Sequence, residues 1–312
     1  MWRAHQQIHQ FNKVLVRLEQ DLLAIYRGAV SCGRLVDSPV LAELHELIDA
    51  DPLLAIQMTR IKSGHAMTPR HAMNVLVLAR AWAVRAHKLG ARLNDFCLAA
   101  LLHDLGHWRP ASLVYVFGPF TREEALTMRG HVTPADEAFL RLDPDILRWI
   151  AQHHEQPDGK GYPGATNSPE PLAQLIRVVD CYDGLCTARR FRPAYTPARA
   201  MTLMARWAGH KYGRGVFKSF RQLMGDRPAG TFVVLADGSV AITLPAGESD
   251  VDLLVLSNQD GDALSEPFTR ASEVGELMTE APGWQEIRLP EPWQGLRPDQ
   301  MGLPRFYPSE SQ

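Results

Sequence analysis

Two adjacent histidines and a glutamate, His153-His154-Glu155, close an apolar helical run that contains Ile146 and Ile150, and Pro157 stops that run just beyond them. A glycine-rich turn follows at once, Asp158-Gly159-Lys160-Gly161-Tyr162-Pro163. Neutral imidazoles are good ligands for transition metals. A glycine turn beside them lets a ligand's phosphate approach the backbone closely. A His-His pair alone is weak evidence of a metal site; followed by this turn, and matched upstream by His103-Asp104, it is specific.

Those residues need elements to hold them. The chain reads as a succession of helices: Phe11 to Ala29, Val40 to Ile48, and Pro52 to Ile61, the last preceded by Asp51 as its cap. Thr68-Pro69 opens a helix through His71 and Trp82 to about Lys88, and another runs from near Asn94 into His103-Asp104, ending at Gly106. Residues 108 to 120 read as loop. Thr121-Arg122-Glu123-Glu124 has the form of a capped helix start reaching towards His131. Pro171 starts a long helix through Asp180, Pro197 starts the next, and Val216 to Leu223 completes the helical part. Histidines and carboxylates placed singly on separate helices are what a bundle needs to bind metal in its interior. Asp180 interrupts the apolar run LIRVVDCYDGL. A buried carboxylate without a partner is expensive, so a metal or an arginine must satisfy it.

After Gly225-Asp226-Arg227-Pro228 the pattern changes. Thr231 to Leu235, the dipeptide Asp237-Gly238, and Val240 to Leu244 spell a hairpin, and Val251 to Leu256 reads as a third strand followed by a turn at Asn258-Gln259-Asp260-Gly261. The chain is therefore expected to be mainly α, with an N-terminal helical segment over residues 1–66, a helical domain over 67–226, and a small acidic β-containing extension over 229–312.

The pattern His71…His103-Asp104…His131…His153-His154…Asp180, with HHEQPDGKGYPG, closely resembles the HD-GYP family, HD-superfamily phosphodiesterases acting on cyclic di-GMP. The resemblance covers roughly residues 60 to 225. TPRHAMNVLVLARAWA is similar to that family's first-ligand helix, LLHDLGHW to its HD segment, and VVDCYDGLCTARRFRPAYT to the segment that closes its site. The resemblance implies an HD-type helical bundle. It also implies two divalent metals, iron or manganese, with His71, His103, Asp104 and Asp180 on one and Asp104, His131, His153 and His154 on the other, Asp104 bridging. A hydroxide shared by the two metals would then attack phosphorus in line and give pGpG, with further cleavage to GMP. Gly161, Tyr162 and Pro163 would line the substrate site, and Arg189 and Arg192 match positions that contact its phosphates; a solvated helix face is the plain alternative for the two arginines.

Two departures from the family's pattern matter. The HD segment usually continues Gly-Lys, where this chain has Gly106-His107. His107 is mostly neutral near pH 7; beside the reacting phosphate it would replace the lysine's charge, add a ligand, or leave a less active site. Members with a third metal carry a glutamate four residues before the first histidine; Met67 stands there, so two metals are expected. His107 is also what motivates a second reading, a module that binds the cyclic dinucleotide without useful turnover and signals to a protein partner. A generic HD phosphohydrolase acting on another nucleotide is disfavoured by the GYP turn.

The bulk properties limit the alternatives. With 46% hydrophobic and 22% charged residues among 312, the composition is that of a soluble globular protein. No apolar run reaches the roughly 20 residues that span a bilayer. The N-terminus lacks the apolar core of a secretion signal, and Cys32, Cys97, Cys181 and Cys186 form no CxxC pair, so a cytoplasmic protein with reduced thiols is expected. The net charge of -2 combines -10 from Ala229 onward with +8 before it. A basic body suits an anionic small molecule, although arginine richness can equally reflect genome composition. No concentrated basic run or aromatic ladder suggests nucleic-acid binding. A protein partner or a homodimer remains open at this stage.

Overall fold

The structure is a computed structural model that describes residues 2–59, 69–108, 121–133, 142–187, 194–225, 228–229, 231–244, 252–260, 262–271 and 279–280. Its helices begin where capping chemistry says they should. In α2 (Pro39–Ala50) the Ser38 hydroxyl accepts from Leu41 N, and in α3 (Pro52–Met58) the Asp51 carboxylate accepts from Leu54 N. Both have proline in the first turn, where its missing N–H would have had no partner anyway. Only α1 (Trp2–Tyr26) departs clearly from expectation, starting well before Phe11. Residues 2–10 contain no glycine or proline to break a helix, yet they carry no apolar stripe, so periodicity does not register them. Gly28, at φ +68, ends α1 with Ala29 N bonding back to Ala24 O at 2.9 Å, a reversal that favours glycine.

The central helix is α4 (Pro69–Ala86), in which every residue from His71 to Ala83 is buried. A helix apolar nearly all round must be surrounded. It is: α1, α2, α3, α5 (Leu93–Leu102), α8 (Pro171–Leu185) and α10 (Arg214–Met224) all pack on it. The N-terminal helices share this core, with Phe11, Val14, Leu15, Leu18 and Leu22 in the same apolar cluster as Leu76, Leu101 and Val178. Three shorter helices, α6 (Arg122–Arg129), α7 (Pro144–Gln152) and α9 (Pro197–Trp207), complete the helical part. The cysteines are free thiols, and all but Cys181 are buried. Among the described residues no helix is long and apolar enough to cross a membrane.

An ion pair between a buried guanidinium and an exposed carboxylate ties α2, α4 and α5 together. The Arg80 guanidinium donates through Nε and Nη2 to the two carboxylate oxygens of Asp49, at 2.7 and 2.6 Å, and through Nη1 to Asn94 at 3.0 Å. One turn before Asp49 stands His45, buried, with Nε2 lacking a hydrogen-bond partner. Burial, reinforced by the Arg80 charge, holds its pKa down to about 4. Since the folded pKa lies below the unfolded one, the unfolded chain binds the extra proton first. His45 therefore costs no stability above pH 6.5 and progressively more as pH falls towards 4, up to roughly 3 kcal/mol. His45→Leu is expected to flatten the stability profile over that window relative to the parent, which urea titrations at pH 4.5 and 7.5 will measure.

The C-terminal part forms an antiparallel sheet in the order β4-β3-β2-β1-β5, from β1 (Phe232–Val234), β2 (Val240–Leu244), β3 (Asp252–Ser257), β4 (Ala263–Ala271) and β5 (Thr279–Glu280). It has its own small core of Val233, Leu235, Ala241, Leu253 and Val255. The expected hairpin is present, with Phe232 opposite Ile242 and Gly238 at φ +90 in the turn. The strand β4 was not expected, because Pro267 interrupts its sequence. It lies at the sheet edge beside a register shift between Val255 and Ser257, where a missing N–H is tolerated.

Candidate metal centre

Three helix ends converge, and each delivers a histidine in the same way. His103 follows α5, His131 lies in a single 3₁₀ turn (Gly130–Val132) after α6, and His153 follows α7. In each, Nδ1 sits against the carbonyl oxygen three residues earlier: Ala100 at 2.9 Å, Met128 at 2.6 Å and Ile150 at 2.7 Å. A ring that donates through Nδ1–H keeps a bare lone pair on Nε2. All three rings are buried, so these lone pairs face inward. Helix C-termini carry partial negative charge, which also favours a cation.

Asp104 stands between two groups of imidazoles. Its Oδ2 lies 3.4 Å from His103 Nε2 and 3.8 Å from His71 Nε2, while Oδ1 lies 3.3 Å from His131 Nε2 and 3.8 Å from His153 Nε2. Asp180 adds a carboxylate oxygen 3.2 Å from His71 Nε2 and 3.8 Å from His103 Nε2. Candidate ligand atoms of Asp104, His131, His153 and His154 all lie within 4.8 Å of one another, and so do those of His71, His103 and Asp104. Two observations say that this set fits metal. The Nε2 of His103 is buried without a hydrogen-bond partner. The Nε2 atoms of His131 and His153 face each other at 3.4 Å, each with Nδ1 on a carbonyl, so with Nδ1 protonated both aim a lone pair at the same place, the arrangement a metal ion would accept.

The electrostatics of the two halves differ. Burial opposes charge on His71 and His103, but Asp180 with Asp183, and Asp104 with Asp180, outweigh it and raise both pKa values. Burial and the neighbouring imidazoles push His153 well down, and burial takes His154 down to about 3. Burial would raise the pKa of Asp180, but the neighbouring His103 and His71 imidazoles hold it well below the usual carboxylate range.

Several residues that orient this set were not singled out in the sequence. Asp183, fully buried, accepts from His71 Nδ1 at 2.7 Å and from Asn74 Nδ2 at 3.2 Å, while Thr187 donates to its backbone carbonyl at 2.7 Å. It is three residues after Asp180 on α8 and so on the same helix face, the one clue the sequence offered. Carboxylates that orient a ligating histidine raise metal affinity. Asp183→Asn is expected to weaken metal retention about 10- to 100-fold, measured by competition with a chelator. Tyr26, at the end of α1, is also buried nearby; burial, then the Asp104 charge, raises its pKa.

The glycine turn is bound to the same place by Glu155. Its Oε1 accepts from Gly164 N at 2.5 Å and its Oε2 from Thr166 N at 3.0 Å. Gly161 is required by close approach: a Cβ there would lie 2.5 Å from Glu155 Cα and 2.7 Å from its carbonyl carbon. Tyr162 then stacks on His154, ring centroids 4.7 Å apart. Burial, then Asp104 and Asp180, raise its pKa, so it stays a neutral phenol. Arg177 secures the back of the site, donating to Lys211 O at 2.7 Å, with Nη1 at 3.4 Å from both His153 O and His154 Nδ1.

Of the residues read from the sequence, His71, His103, Asp104, His131, His153, His154 and Asp180 come together, with Gly161 and Tyr162 beside them and Pro163 exposed at the end of the turn. The backbone of His107 lies in a 3₁₀ turn (Leu105–Trp108). Its side chain, and Arg189 and Arg192 altogether, lie outside the described residues.

Comparison with known proteins bears on this arrangement. A family profile described as an HD domain matches residues 44–216. A cyclic di-GMP phosphodiesterase of Pseudomonas aeruginosa is 28% identical over 240 residues, covering 73% of this chain and 57% of that protein. One of Vibrio cholerae serotype O1 is 30% identical over 137 residues, covering 39% of this chain and 27% of that protein. The chain thus spans little more than half the length of the first relative and about a quarter of the second. Among solved structures, an HDG"Y"P protein from Bdellovibrio bacteriovorus has a TM-score of 0.42 and 18% identity, covering 69% of this chain and 68% of that one.

Proposed function

The chain belongs to the HD-domain family, and from that premise we propose that it is a metal-dependent phosphodiesterase that hydrolyses cyclic di-GMP. The observation that carries the reading is the Asp104 carboxylate, each of whose oxygens faces a different group of imidazoles. The names of the two bacterial relatives support the same substrate. His71, His103, Asp104 and Asp180 would hold one divalent ion and Asp104, His131, His153 and His154 the other. Mixed nitrogen and oxygen donors suit iron or manganese. When bound, such ions polarise a phosphoryl oxygen and make water a competent nucleophile at neutral pH.

The protein's own contribution is orientation and enclosure. Backbone carbonyls and Asp183 fix which ring nitrogen each of four histidines turns inward. The turn pinned by Glu155 places Tyr162 as a wall, and its neutral hydroxyl can donate to a phosphate oxygen without repelling it. Attack of water on phosphorus then breaks one ester bond of the ring, giving linear pGpG, with GMP as the product of a second cleavage. The protein would act in the cytoplasm, as a homodimer or with a protein partner.

The test is anaerobic purification, metal quantification and a cyclic di-GMP turnover assay with iron and manganese on the same sample. Two metals and a linear product are expected. Full metal occupancy with no turnover of any cyclic dinucleotide would sink the enzyme reading. Tight nucleotide binding without product would favour the signalling module, for which His107 in place of lysine is the motive.

A further inference from the structure

Arg129, the last residue of α6, is exposed, and its guanidinium carbon lies 5.2 Å from the centroid of the Tyr162 ring. That same ring stacks on His154, and Arg129 is only two residues before His131. The guanidinium thus stands at the rim of the candidate metal centre, joining the α6 side to the glycine turn. It makes no ion pair among the described residues. Arg177, by contrast, is buried and committed to carbonyl oxygens and His154.

A guanidinium whose carbon lies over an aromatic ring is attracted by the π face and spends none of its N–H donors on an oxygen or nitrogen acceptor there. Two such donors side by side match two phosphate oxygens. A cyclic dinucleotide carries two phosphodiesters, and only one can be at the reacting position. The second is an anion that must rest away from the metals, within reach of a cation outside the ligand shell. We propose that Arg129 binds this second, non-reacting phosphodiester and so selects cyclic dinucleotides over simple diesters. The assignment rests on the phosphodiesterase reading above.

Metal-loaded protein, Arg129→Gln and Arg129→Lys are compared on cyclic di-GMP, cyclic di-AMP and bis(p-nitrophenyl) phosphate, a diester with one phosphate. For Arg129→Gln the kcat/KM on both cyclic dinucleotides is expected to fall about 10- to 100-fold, mainly through KM, and at least about tenfold further than on the simple diester. Arg129→Lys, which keeps the charge, should regain part of the loss, with metal content unchanged throughout. Equal losses on all three substrates would overturn the proposal by placing Arg129 in service of the metal centre. So would a loss confined to the guanine dinucleotide, which would mean base recognition, or no loss at all. If the parent binds cyclic di-GMP without cleaving it, the same factor is read from calorimetric affinities. A parent that neither binds nor cleaves it overturns the phosphodiesterase reading and this assignment together, whereas an active parent with an unaffected Arg129→Gln overturns this assignment alone.

Discussion

Alanine in place of Asp104 is expected to lower cyclic di-GMP turnover by about a thousandfold or more, since metal chemistry supplies several kcal/mol of the barrier reduction, and to strip the protein of both metals together. The reason lies in the position of the two carboxylate oxygens: Oδ2 faces His103 and His71, and Oδ1 faces His131 and His153. A residue serving one metal would, when removed, leave the other in place. Metal analysis of the purified variant therefore discriminates directly. Normal content of both ions would refute the bridging role, and loss of one alone would make Asp104 an ordinary ligand. Asp104 is at a helix end with a partly exposed side chain, so the variant should fold, and far-ultraviolet circular dichroism checks that it does.

Gly106→Ala is expected to destabilise the protein by about 3 kcal/mol and to impair metal binding as well. A Cβ at Gly106 would fall on the His131 backbone, colliding with its carbonyl oxygen and standing 2.7 Å from the carbonyl carbon and 2.8 Å from Cα. These are backbone atoms, which cannot rotate aside. The turn after Asp104 and the turn holding His131 would have to separate, and with them two candidate ligands 3.3 Å apart. Gly130→Ala is the matched control. It lies one residue before His131, with φ -64 and nothing within 4 Å of an added Cβ, so a change within roughly 0.5 kcal/mol is expected. Urea titration and metal quantification of both variants test the contrast. Equal stability of the two would show that the approach at Gly106 is not what brings the turns together.

Much of the helical part was legible because its signals are local. Proline in the first turn with Asp51 before it, the Thr121 cap with Glu123 and Glu124 in its first turn, and the Asp237-Gly238 turn are each decided by neighbours within a few residues. The start of α1 escaped because residues 2–10 have no apolar period to read, and β4 escaped because a proline that would break a central strand is harmless at an edge. Asp183, Arg177 and the role of Glu155 in pinning the glycine turn escaped for another reason. Buried carboxylates and guanidinium groups are costly in sequence reasoning until their partners are known, and those partners are far away: His71 and Asp183 are 112 residues apart.

The sequence by itself singled out the candidate ligands that the structure brings together, since histidines and aspartates at helix ends and one aspartate inside an apolar run have few inexpensive explanations. It also determined the helical class and the β extension. The structure places the first three helices in the same core as α4 and α8. Only the tertiary structure decided which ring nitrogen faces inward, which oxygen of Asp104 meets which imidazole, and that an arginine from α6 rests on a tyrosine of the glycine turn. Such contacts depend on distances and orientations between segments remote in the chain. Local propensity and periodicity fix each segment's shape, but only the packing of all of them fixes where their ends meet.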